Sequence, residues 1–327
     1  FKQKTAYEIS LGLVGSEMCI RDRLGGAEIL QEGYRTYFVR QSRRGRPSTV
    51  PMIMASGPAS HISMRFGLHG PTHTYSIACA SSTVAIGEAF RAIRDGYLDT
   101  ALSGGAEAML NDGSIAAWER LGVLASSHTD GPEASSRPFD LERTGFVLGE
   151  GAALLVLEAE SALQERAVDP IAEIIGYGVS SDAFSLTEPH AAGQEAAMRS
   201  AITDADIERE EVQYVNAHAT GTPSGDPIEI EAIKSIFEDH ASNLAVSSTK
   251  SVHGHLVGAS GALETAISAI ALQKGRIPPT ANLTHPDPSC DLDCVPEYGR
   301  EAPELTVAIS NSFAFGGSNA TLVLRKV

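Results

Sequence analysis

The most informative segment of the chain is Tyr75-Ser-Ile-Ala-Cys79-Ala-Ser-Ser82. A short apolar run ends at Cys79, and apolar residues then recur at helical spacing from Ile86 to Ile93. This pattern predicts a thiol at a strand-to-helix turn, beside the N-terminus of a helix. That end of a helix carries partial positive charge, so it favours the thiolate, which is the nucleophilic form of cysteine. Cys79 is therefore a candidate nucleophile.

Two histidines far downstream lie in similar glycine-containing turns. His218 stands in Asn-Ala-His-Ala-Thr-Gly-Thr at residues 216–222. His255 stands in Thr-Lys-Ser-Val-His-Gly-His-Leu-Val-Gly-Ala at residues 249–259. One cysteine and two histidines, each in its own turn, are typical of an acyl-transfer site.

Strand and helix patterns alternate from residue 25 to the C-terminus. Buried strands are predicted over residues 100–107, 149–158, 171–179, 212–218, 244–248, 306–310 and 320–324. This alternation predicts an α/β fold with a mostly parallel, helix-covered sheet, in which ligands bind beyond the carboxyl ends of the strands. The residues expected to meet there are Cys79, His218, His255 and Phe315.

Composition limits the classes of partner. The chain has 327 residues, 43% of them hydrophobic, which is enough for a large core. The net charge of −16 argues against nucleic acid or an anionic membrane as the main partner. No apolar run of about 18 residues is present, so no membrane span is expected. The four cysteines are sparse for this length, which favours a reducing, cytoplasmic location.

Two further features have more modest interpretations. Arg43, Arg44 and Arg46 form a basic segment that is either a solvated loop or a docking site for an acidic partner. Cys290 and Cys294 have three residues between them and no histidine cluster nearby, so we predict no metal site.

Residues 1–24 differ from the rest of the chain. They show no clean hydrophobic period, and residues 7–23 look like translated adapter or assembly sequence, with a native short helix as the alternative. We therefore leave residues 1–24 out of the fold and assign no role to Cys19. The remainder divides into an N-terminal half, residues 25–165, which contains the cysteine, and a C-terminal half, residues 166–327, which contains both histidines.

Several motifs occur together in a fixed order. They are Ala-Cys-Ala-Ser-Ser at 78–82, the segment 216–222, Thr-Lys-Ser at 249–251 with Gly254 and His255, and Asn-Ser-Phe-Ala-Phe-Gly-Gly-Ser-Asn at 311–319. Arg-Pro-Phe-Asp at 137–140, Gly-Phe-Val-Leu-Gly-Glu-Gly-Ala at 145–152 and Cys-Asp-Leu-Asp at 290–293 fit the same set. From about residue 25 to residue 327 the chain resembles the β-ketoacyl-[acyl-carrier-protein] synthases, most of all the elongating type II of fatty acid synthesis.

The resemblance implies a thiolase-like fold and a homodimer. Two similar halves, each a sheet packed by helices, would stack as five layers, α-β-α-β-α. The N-terminal half is expected to be truncated, because the family's opening strand, first helices and much of its second strand should precede residue 25.

The resemblance also implies the chemistry. Cys79 would take an acyl chain from the phosphopantetheine arm of an acyl carrier protein. His218 and His255 would then stabilise the enolate left by decarboxylation of a malonyl carrier, and a Claisen condensation would extend the chain by two carbons. Backbone N–H groups of Cys79 and Phe315 would hold the oxyanion, with Phe315 also acting as a gate.

The remaining implied roles are supporting ones. Lys250 and Glu264 would form an ion pair behind the histidine loop, and Phe313 belongs to the supporting motif. Thr220 and Thr222 would bind the pantetheine amides, and the carrier would dock at the arginines of the basic segment. No cofactor is implied, since the thioester itself carries the activation.

Five alternatives stay open at this stage. A polyketide-type ketosynthase would share these motifs. A thiolase would need a second cysteine in residues 311–319, which contain none, and an initiating condensing enzyme would have asparagine in place of His255. A chain-length factor would lack Cys79. Finally, the chain could be a non-functional fragment of such an enzyme.

Overall fold

The computed structural model describes residues 17–21, 26–166 and 168–327. Its first sheet contains β1 (Glu17–Arg21), β2 (Thr72–His73), β3 (Thr100–Glu107) and β4 (Gly151–Glu158), in the order β2-β1-β3-β4. Strand β1 runs parallel to β2 and β3, and β4 runs antiparallel to β3.

The second sheet is built from the C-terminal part of the chain. Its strands are β5 (Glu173–Ser181), β6 (Tyr214–Asn216), β7 (Ala245–Ser247), β10 (Val307–Ala314) and β11 (Ser318–Arg325). They lie in the order β5-β11-β10-β6-β7. A separate antiparallel pair is formed by β8 (Arg276–Ile277) and β9 (Arg300–Glu301).

The α-helices of the described residues connect and cover these strands. They are α1 (Ala27–Tyr34), α2 (Thr49–Ile53), α3 (Gly57–Phe66), α4 (Ser81–Arg94), α5 (Asp112–Leu121), α6 (Glu160–Arg166), α7 (Ala191–Asp204), α8 (Gly225–Phe237), α9 (Lys250–His253) and α10 (Ser260–Lys274). A single 3₁₀ turn, Ala78–Ala80, precedes α4, and another, Val257–Ala259, precedes α10.

Two helices at the centre join the halves. Helices α4 and α10 pack against each other and contact strands of both sheets. Helix α7 covers the second sheet and packs against α8, and α3 packs on β1 and β2 of the first sheet. The result is the expected stack of five layers, in which the N-termini of both central helices point to the same region.

The burial and the C-terminal end of the central helix α10 follow from its sequence. Small residues on most of its faces let it lie between two sheets, and nine of its fifteen residues are buried. The helix ends at Gly275, which adopts φ +61°, a left-handed conformation that glycine reaches without strain.

Two expectations about the sheets need correction. Both sheets are mixed rather than mostly parallel, since β3/β4, β5/β11 and β10/β11 are antiparallel. The tight turn at residues 315–317 forces the last of these pairs, because only antiparallel strands can be joined by so short a connection.

Leaving all of residues 1–24 out of the fold is also wrong for five of them. Strand β1 occupies the place between β2 and β3, with Cys19 opposite His73 on one side and Ser103 on the other. Ladder hydrogen bonds join backbone groups, so an extended segment can fill such a place without a periodic side-chain pattern. The foreign origin of this prefix stays a prediction, and its remaining residues lie outside the described ones. Within the part of the chain that the structure describes, every helix is too short or too polar to cross a bilayer.

Candidate active site

Cys79 lies in the 3₁₀ turn that leads into α4 and is almost fully buried. Ala78, just before it, has φ +44°, a left-handed conformation unusual for a residue with a Cβ. Ser81 closes the turn: its hydroxyl donates to the Ala78 carbonyl at 2.7 Å and accepts from the Ile77 N–H at 2.7 Å. The turn sets the sulfur at the N-terminal end of a fourteen-residue helix, where the positive end of the helix dipole favours an anion.

His255 reaches the sulfur from the loop between α9 and α10. Its Nε2 atom lies 3.1 Å from Cys79 Sγ, and its Nδ1 atom lies 3.0 Å from Ser260 Oγ. The backbone of His255 is fixed as well, because its N–H donates to the Val147 carbonyl at 2.7 Å and its carbonyl accepts from the Gly149 N–H at 3.0 Å. The motif at residues 145–152 therefore supports this histidine.

His218 completes the group from the end of β6. Its ring stands edge-on to that of His255, with the centroids 5.4 Å apart. One ligand atom each of Cys79, His218 and His255 lie within 4.8 Å of one another. Burial, together with the nearby Lys250 ammonium and the His255 ring, holds the pKa of His218 well below its usual range. His218 therefore stays neutral around pH 7.

A buried glutamate positions the His218 loop. Glu229 on α8 accepts hydrogen bonds from the His218 N–H at 2.9 Å and the Ala219 N–H at 2.7 Å. The side-chain amide of Asn311 on β10 donates to the same carboxylate at 3.2 Å. Burial raises the pKa of Glu229 to about 7, although these donors oppose the shift.

The expected ion pair between Lys250 and Glu264 is present. Lys250 Nζ contacts Glu264 Oε1, and both side chains are almost completely buried, at 1% and 0% exposure. Burial raises the pKa of Glu264 to about 7, and the Lys250 cation opposes that shift. The pair joins the first residue of α9 to α10, so it spans the loop that carries His255.

A cavity of about 300 Å³ opens onto the sulfur and both imidazoles. Three aromatic rings form much of one wall: Trp118 lies 6.1 Å from Phe315 and 5.5 Å from Phe146, centroid to centroid. Phe146 in turn stands edge-on to His255 at 5.3 Å. Phe313, which is buried, lies 6.1 Å from His218. An apolar wall beside a nucleophile suits an acyl chain.

The turn that carries Phe315 is held on its outer side. Gly316 and Gly317 adopt φ values of +88° and +70°, which suit glycine. The Gly316 N–H donates to the Leu186 carbonyl at 2.8 Å, and the Asp182 N–H donates to the Gly317 carbonyl at 2.7 Å. Phe315 itself is half-buried in the cavity wall.

The other predicted site residues fall into two groups. Thr220 and Thr222 line the cavity, with their hydroxyl oxygens 3.4 Å apart. Arg43, Arg44 and Arg46 are exposed, lie between α1 and α2, and do not line the cavity. The roles of both groups stay predictions.

Among the residues that the structure describes, two groups of side chains have the spacing of metal ligands. The first is the cysteine and two histidines of the site, whose donor types suit Zn²⁺. The second is Asp140, Glu142 and His285. In the second group Asp140 already accepts hydrogen bonds from Arg137 Nε at 3.0 Å and from three backbone N–H groups. The absence of a metal in the working protein stays a prediction.

Several residues of the site carry little signal in the sequence. Glu229, Ser260, Trp118 and Phe146 contact site residues or line the cavity. Phe146 lies in the motif at residues 145–152, which predicts no role for it, and Trp118 follows no pattern that distinguishes it from a core aromatic. Ser260 had a weak signal, because it lies five residues after His255 at the start of the clearest helix in the chain.

The five-layered fold, with a cysteine and two histidines where its two halves meet, defines a thiolase-like acyltransferase. The comparisons with known proteins agree. Residues 14–162 match the β-ketoacyl synthase N-terminal domain, and residues 171–284 match the β-ketoacyl synthase C-terminal domain. The chain belongs to the β-ketoacyl synthase family. The predicted family, fold class and acyltransferase type of enzyme are thereby confirmed.

Three similar proteins carry different names. Nodulation protein E of Rhizobium sp. (strain N33) is 43% identical over 302 residues, which are 92% of this chain and 73% of that protein. The 3-oxoacyl-[acyl-carrier-protein] synthase 2 of Staphylococcus aureus (strain COL) is 41% identical over 305 residues, 93% of this chain and 73% of that protein. A type II polyketide ketosynthase, solved with its acyl-carrier protein and a hexaketide, has a TM-score of 0.89 and 29% identity, covering 96% of this chain and 78% of that one.

Proposed function

We propose that the protein is a β-ketoacyl-[acyl-carrier-protein] synthase that loads an acyl chain onto Cys79 and then extends it by two carbons in fatty acid biosynthesis. The observation that carries the proposal is the 3.1 Å contact between Cys79 Sγ and His255 Nε2, with the His218 ring beside them. Malonyl-carrier is the second substrate, and carbon dioxide is the by-product.

The first half-reaction is a thioester exchange. The Cys79 thiolate attacks the carbonyl carbon of the acyl-carrier thioester, and the pantetheine thiolate leaves and takes up a proton. The tetrahedral oxyanion accepts hydrogen bonds from the backbone N–H groups of Cys79 and Phe315. Donors aimed at a developing oxyanion are worth roughly 3–4 kcal/mol each in such reactions.

The second half-reaction breaks and forms carbon–carbon bonds. The bond between the malonyl carboxylate and the α-carbon breaks, carbon dioxide leaves, and the electron pair forms an enolate. His218 and His255 donate N–H groups to the enolate oxygen. His255 donates in the tautomer in which the Ser260 hydroxyl donates to Nδ1, because its proton is then on Nε2, which faces the substrate. The α-carbon then attacks the acyl-cysteine, and Cys79 leaves as thiolate.

The carrier's arm enters past Thr220 and Thr222, whose hydroxyls bind its amides, while Phe315 separates the acyl pocket from the malonyl site. The positions of these residues on one cavity support this assignment.

The exposed arginines Arg43, Arg44 and Arg46 receive the acidic carrier. If they do, raising the salt concentration from 50 to about 300 mM raises the KM for carrier, because screening weakens exposed ion pairs. A KM that does not change with salt contradicts docking at this segment.

We also propose a homodimer. An aromatic cluster after α1, formed by Tyr34, Tyr37 and Phe38, is more than half exposed, and patches of this kind mark interfaces. Light scattering coupled to gel filtration measures the molecular mass, and a monomeric mass contradicts the proposal.

The second candidate function is polyketide-type chain extension. Nodulation protein E and the polyketide ketosynthase are among its relatives, so family membership alone leaves this route open. The two functions differ in the chains that load onto Cys79: fully reduced acyl chains indicate fatty acid synthesis, and chains that keep their β-keto groups indicate the alternative.

The decisive experiment is mass spectrometry of the protein after incubation with acyl-carrier protein. We expect an acyl mass on the peptide that contains Cys79, and no acylation in Cys79→Ala. Cys79→Gln should still decarboxylate malonyl-carrier, because that step needs the histidines and not the sulfur. An acyl group on another residue, or unchanged elongation by Cys79→Ala, would falsify the assignment.

A further inference from the structure

One motif singled out in the sequence has no part in the chemistry above. It is Arg-Pro-Phe-Asp at residues 137–140, and Arg143 follows it three residues later. Arg143 is buried, with 8% of its surface exposed, and does not line the cavity. A buried guanidinium is costly unless its donors are satisfied, so the partners of this one indicate what it holds in place.

The partners of Arg143 lie under the mouth of the cavity. Its Nε donates to the carbonyl of Thr222 at 3.0 Å, and its Nη2 donates to the carbonyl of Pro223 at 3.1 Å. Its Nη1 donates to the Asp140 carbonyl at 2.9 Å and to Asp287 Oδ2 at 2.6 Å. The guanidinium thus binds two successive carbonyls of one loop and anchors them to two other segments.

That loop forms one side of the cavity mouth. We call residues 220–224 the rim loop; Thr220, Thr222, Pro223 and Ser224 line the cavity. Its inner side is fixed by Asp226, which accepts from the Gly221 N–H at 3.1 Å and the Phe139 N–H at 2.9 Å. Gly221 has φ +83°, and a Cβ added there would lie 3.0 Å from the Gly145 carbonyl oxygen. The rim loop therefore has little freedom as long as Arg143 and Asp226 hold it.

We propose that Arg143 is a positioning residue that sets the rim loop in the shape that accepts the pantetheine arm. This inference rests on the proposed function, in which Thr220 and Thr222 bind the arm. Arg143 touches neither the substrate nor the reacting atoms. It acts through the carbonyls of Thr222 and Pro223, which turn the loop so that the Thr222 hydroxyl and the peptide beside it face the cavity.

Arginine suits this task better than lysine. Its planar fork presents several N–H groups in fixed directions, so one side chain can bind two carbonyls of one loop, a neighbouring turn and a carboxylate at once. Lysine at this position would keep the charge and the contact with Asp287, but its single nitrogen cannot span both carbonyls of the rim loop.

The test compares Arg143→Lys with Arg137→Lys. Arg137 is a matched control because it is a buried arginine six residues before Arg143 and its side chain binds Asp140, Ala134 and Thr284, but not the rim loop. Three quantities are measured for each variant: the melting temperature, KM and kcat with carrier substrates, and the rate at which iodoacetamide alkylates Cys79. Iodoacetamide has no pantetheine arm, so its rate reports on the thiol alone.

For Arg143→Lys we expect KM for the carrier to rise about tenfold, the equivalent of about one lost charged hydrogen bond, with kcat and the alkylation rate within about twofold of wild type. For Arg137→Lys we expect a lower melting temperature and an unchanged KM. Asp287→Asn removes the charge that binds Arg143 and keeps one side-chain oxygen for the Ser289 N–H and hydroxyl. It should raise KM by a smaller factor, and it keeps the test valid if Arg143→Lys does not fold.

Two outcomes overturn the inference. In one, Arg143→Lys lowers the melting temperature while KM stays unchanged, and the residue then serves the fold alone. In the other, alkylation of Cys79 slows as much as turnover does, which means that the whole site is distorted. Neither outcome affects the proposed function, which fails only if wild-type Cys79 is not acylated.

Discussion

Replacing Lys250 by methionine tests the electrostatics of the site most directly. Methionine has a similar length and no charge, so Lys250→Met leaves the Glu264 carboxyl buried without its cation. Removing one partner of a buried pair costs about 3–5 kcal/mol of unfolding free energy when the remaining group is charged. The size of the loss therefore depends on whether Glu264 is ionised.

The pH dependence follows from the pKa of Glu264. Its folded-state pKa of about 7 is higher than the ordinary value of 4.5. A carboxyl with a raised folded pKa contributes stability that is complete below the unfolded pKa and is lost as pH rises through the folded one. Without Lys250 that folded pKa rises further. We therefore expect Lys250→Met to match wild type closely near pH 6 and to fall about 1 kcal/mol below it near pH 8, because each pH unit above the wild-type pKa adds at most about 1.4 kcal/mol to the loss.

The same substitution acts on His218. The Lys250 cation is one cause, after burial, of the lowered pKa of His218. Removing the cation raises that pKa, so the neutral imidazole that donates to the enolate becomes protonated at a higher pH. Malonyl decarboxylation should then begin to decline at a higher pH in the variant than in wild type as the solution is made more acidic.

The double variant Lys250→Met with Glu264→Met separates the two effects. It removes both buried charges with apolar residues, which is often neutral or stabilising, so most of the lost unfolding free energy should return. The decline in decarboxylation at low pH should remain, because Lys250 is still absent. Denaturant unfolding at pH 6 and pH 8, and release of labelled carbon dioxide across pH 5–9, measure the two quantities. A Lys250→Met protein as stable as wild type at pH 8 refutes this reasoning.

Two other substitutions test the site and its surroundings. His255→Ala should slow malonyl decarboxylation far more than acylation of Cys79, measured as carbon dioxide release and acyl mass; equal losses mean that His255 serves the fold instead. Gly261→Ala in α10 places a Cβ 1.9 Å from Thr83 Oγ1, so it should cost about 1–3 kcal/mol by overpacking. The control is Gly33→Ala, because a Cβ added at Gly33 has no atom within 4 Å. Its unfolding free energy in denaturant should be equal to or higher than that of wild type. Similar losses of unfolding free energy in both variants would argue against the tight contact at Gly261.

The reacting groups of the site are visible in the sequence because they lie in distinctive turns. Cys79, His218 and His255 each follow an apolar run and stand beside small residues, and that local pattern does not depend on the rest of the chain. The bounds of α10 are readable for the same reason, since its apolar repeat and its terminal Gly275 are consecutive in the chain.

The contacts that hold these groups in place cannot be predicted from the sequence. In the sequence, Glu229 is not distinguishable from other acidic residues of a helix. In the folded protein, α8 packs near the end of β6, and the Glu229 carboxylate accepts hydrogen bonds from two backbone N–H groups of the His218 loop. Likewise, Arg143 lies 79 residues before the carbonyl that its Nε binds. Such contacts depend on the relative placement of elements far apart in the chain.

The pairing of the strands likewise depends on the tertiary structure, whereas their positions in the chain can be predicted from the sequence. Hydrophobic runs of four to eight residues indicate where strands lie, but their neighbours are chosen by hydrogen bonds between backbone groups that all residues share. Only the packed sheets decide that β5 lies beside β11 and that β1 fills the place between β2 and β3. Local spacing thus encodes the elements and the reacting groups, whereas the partners across the core follow from which faces can be buried together.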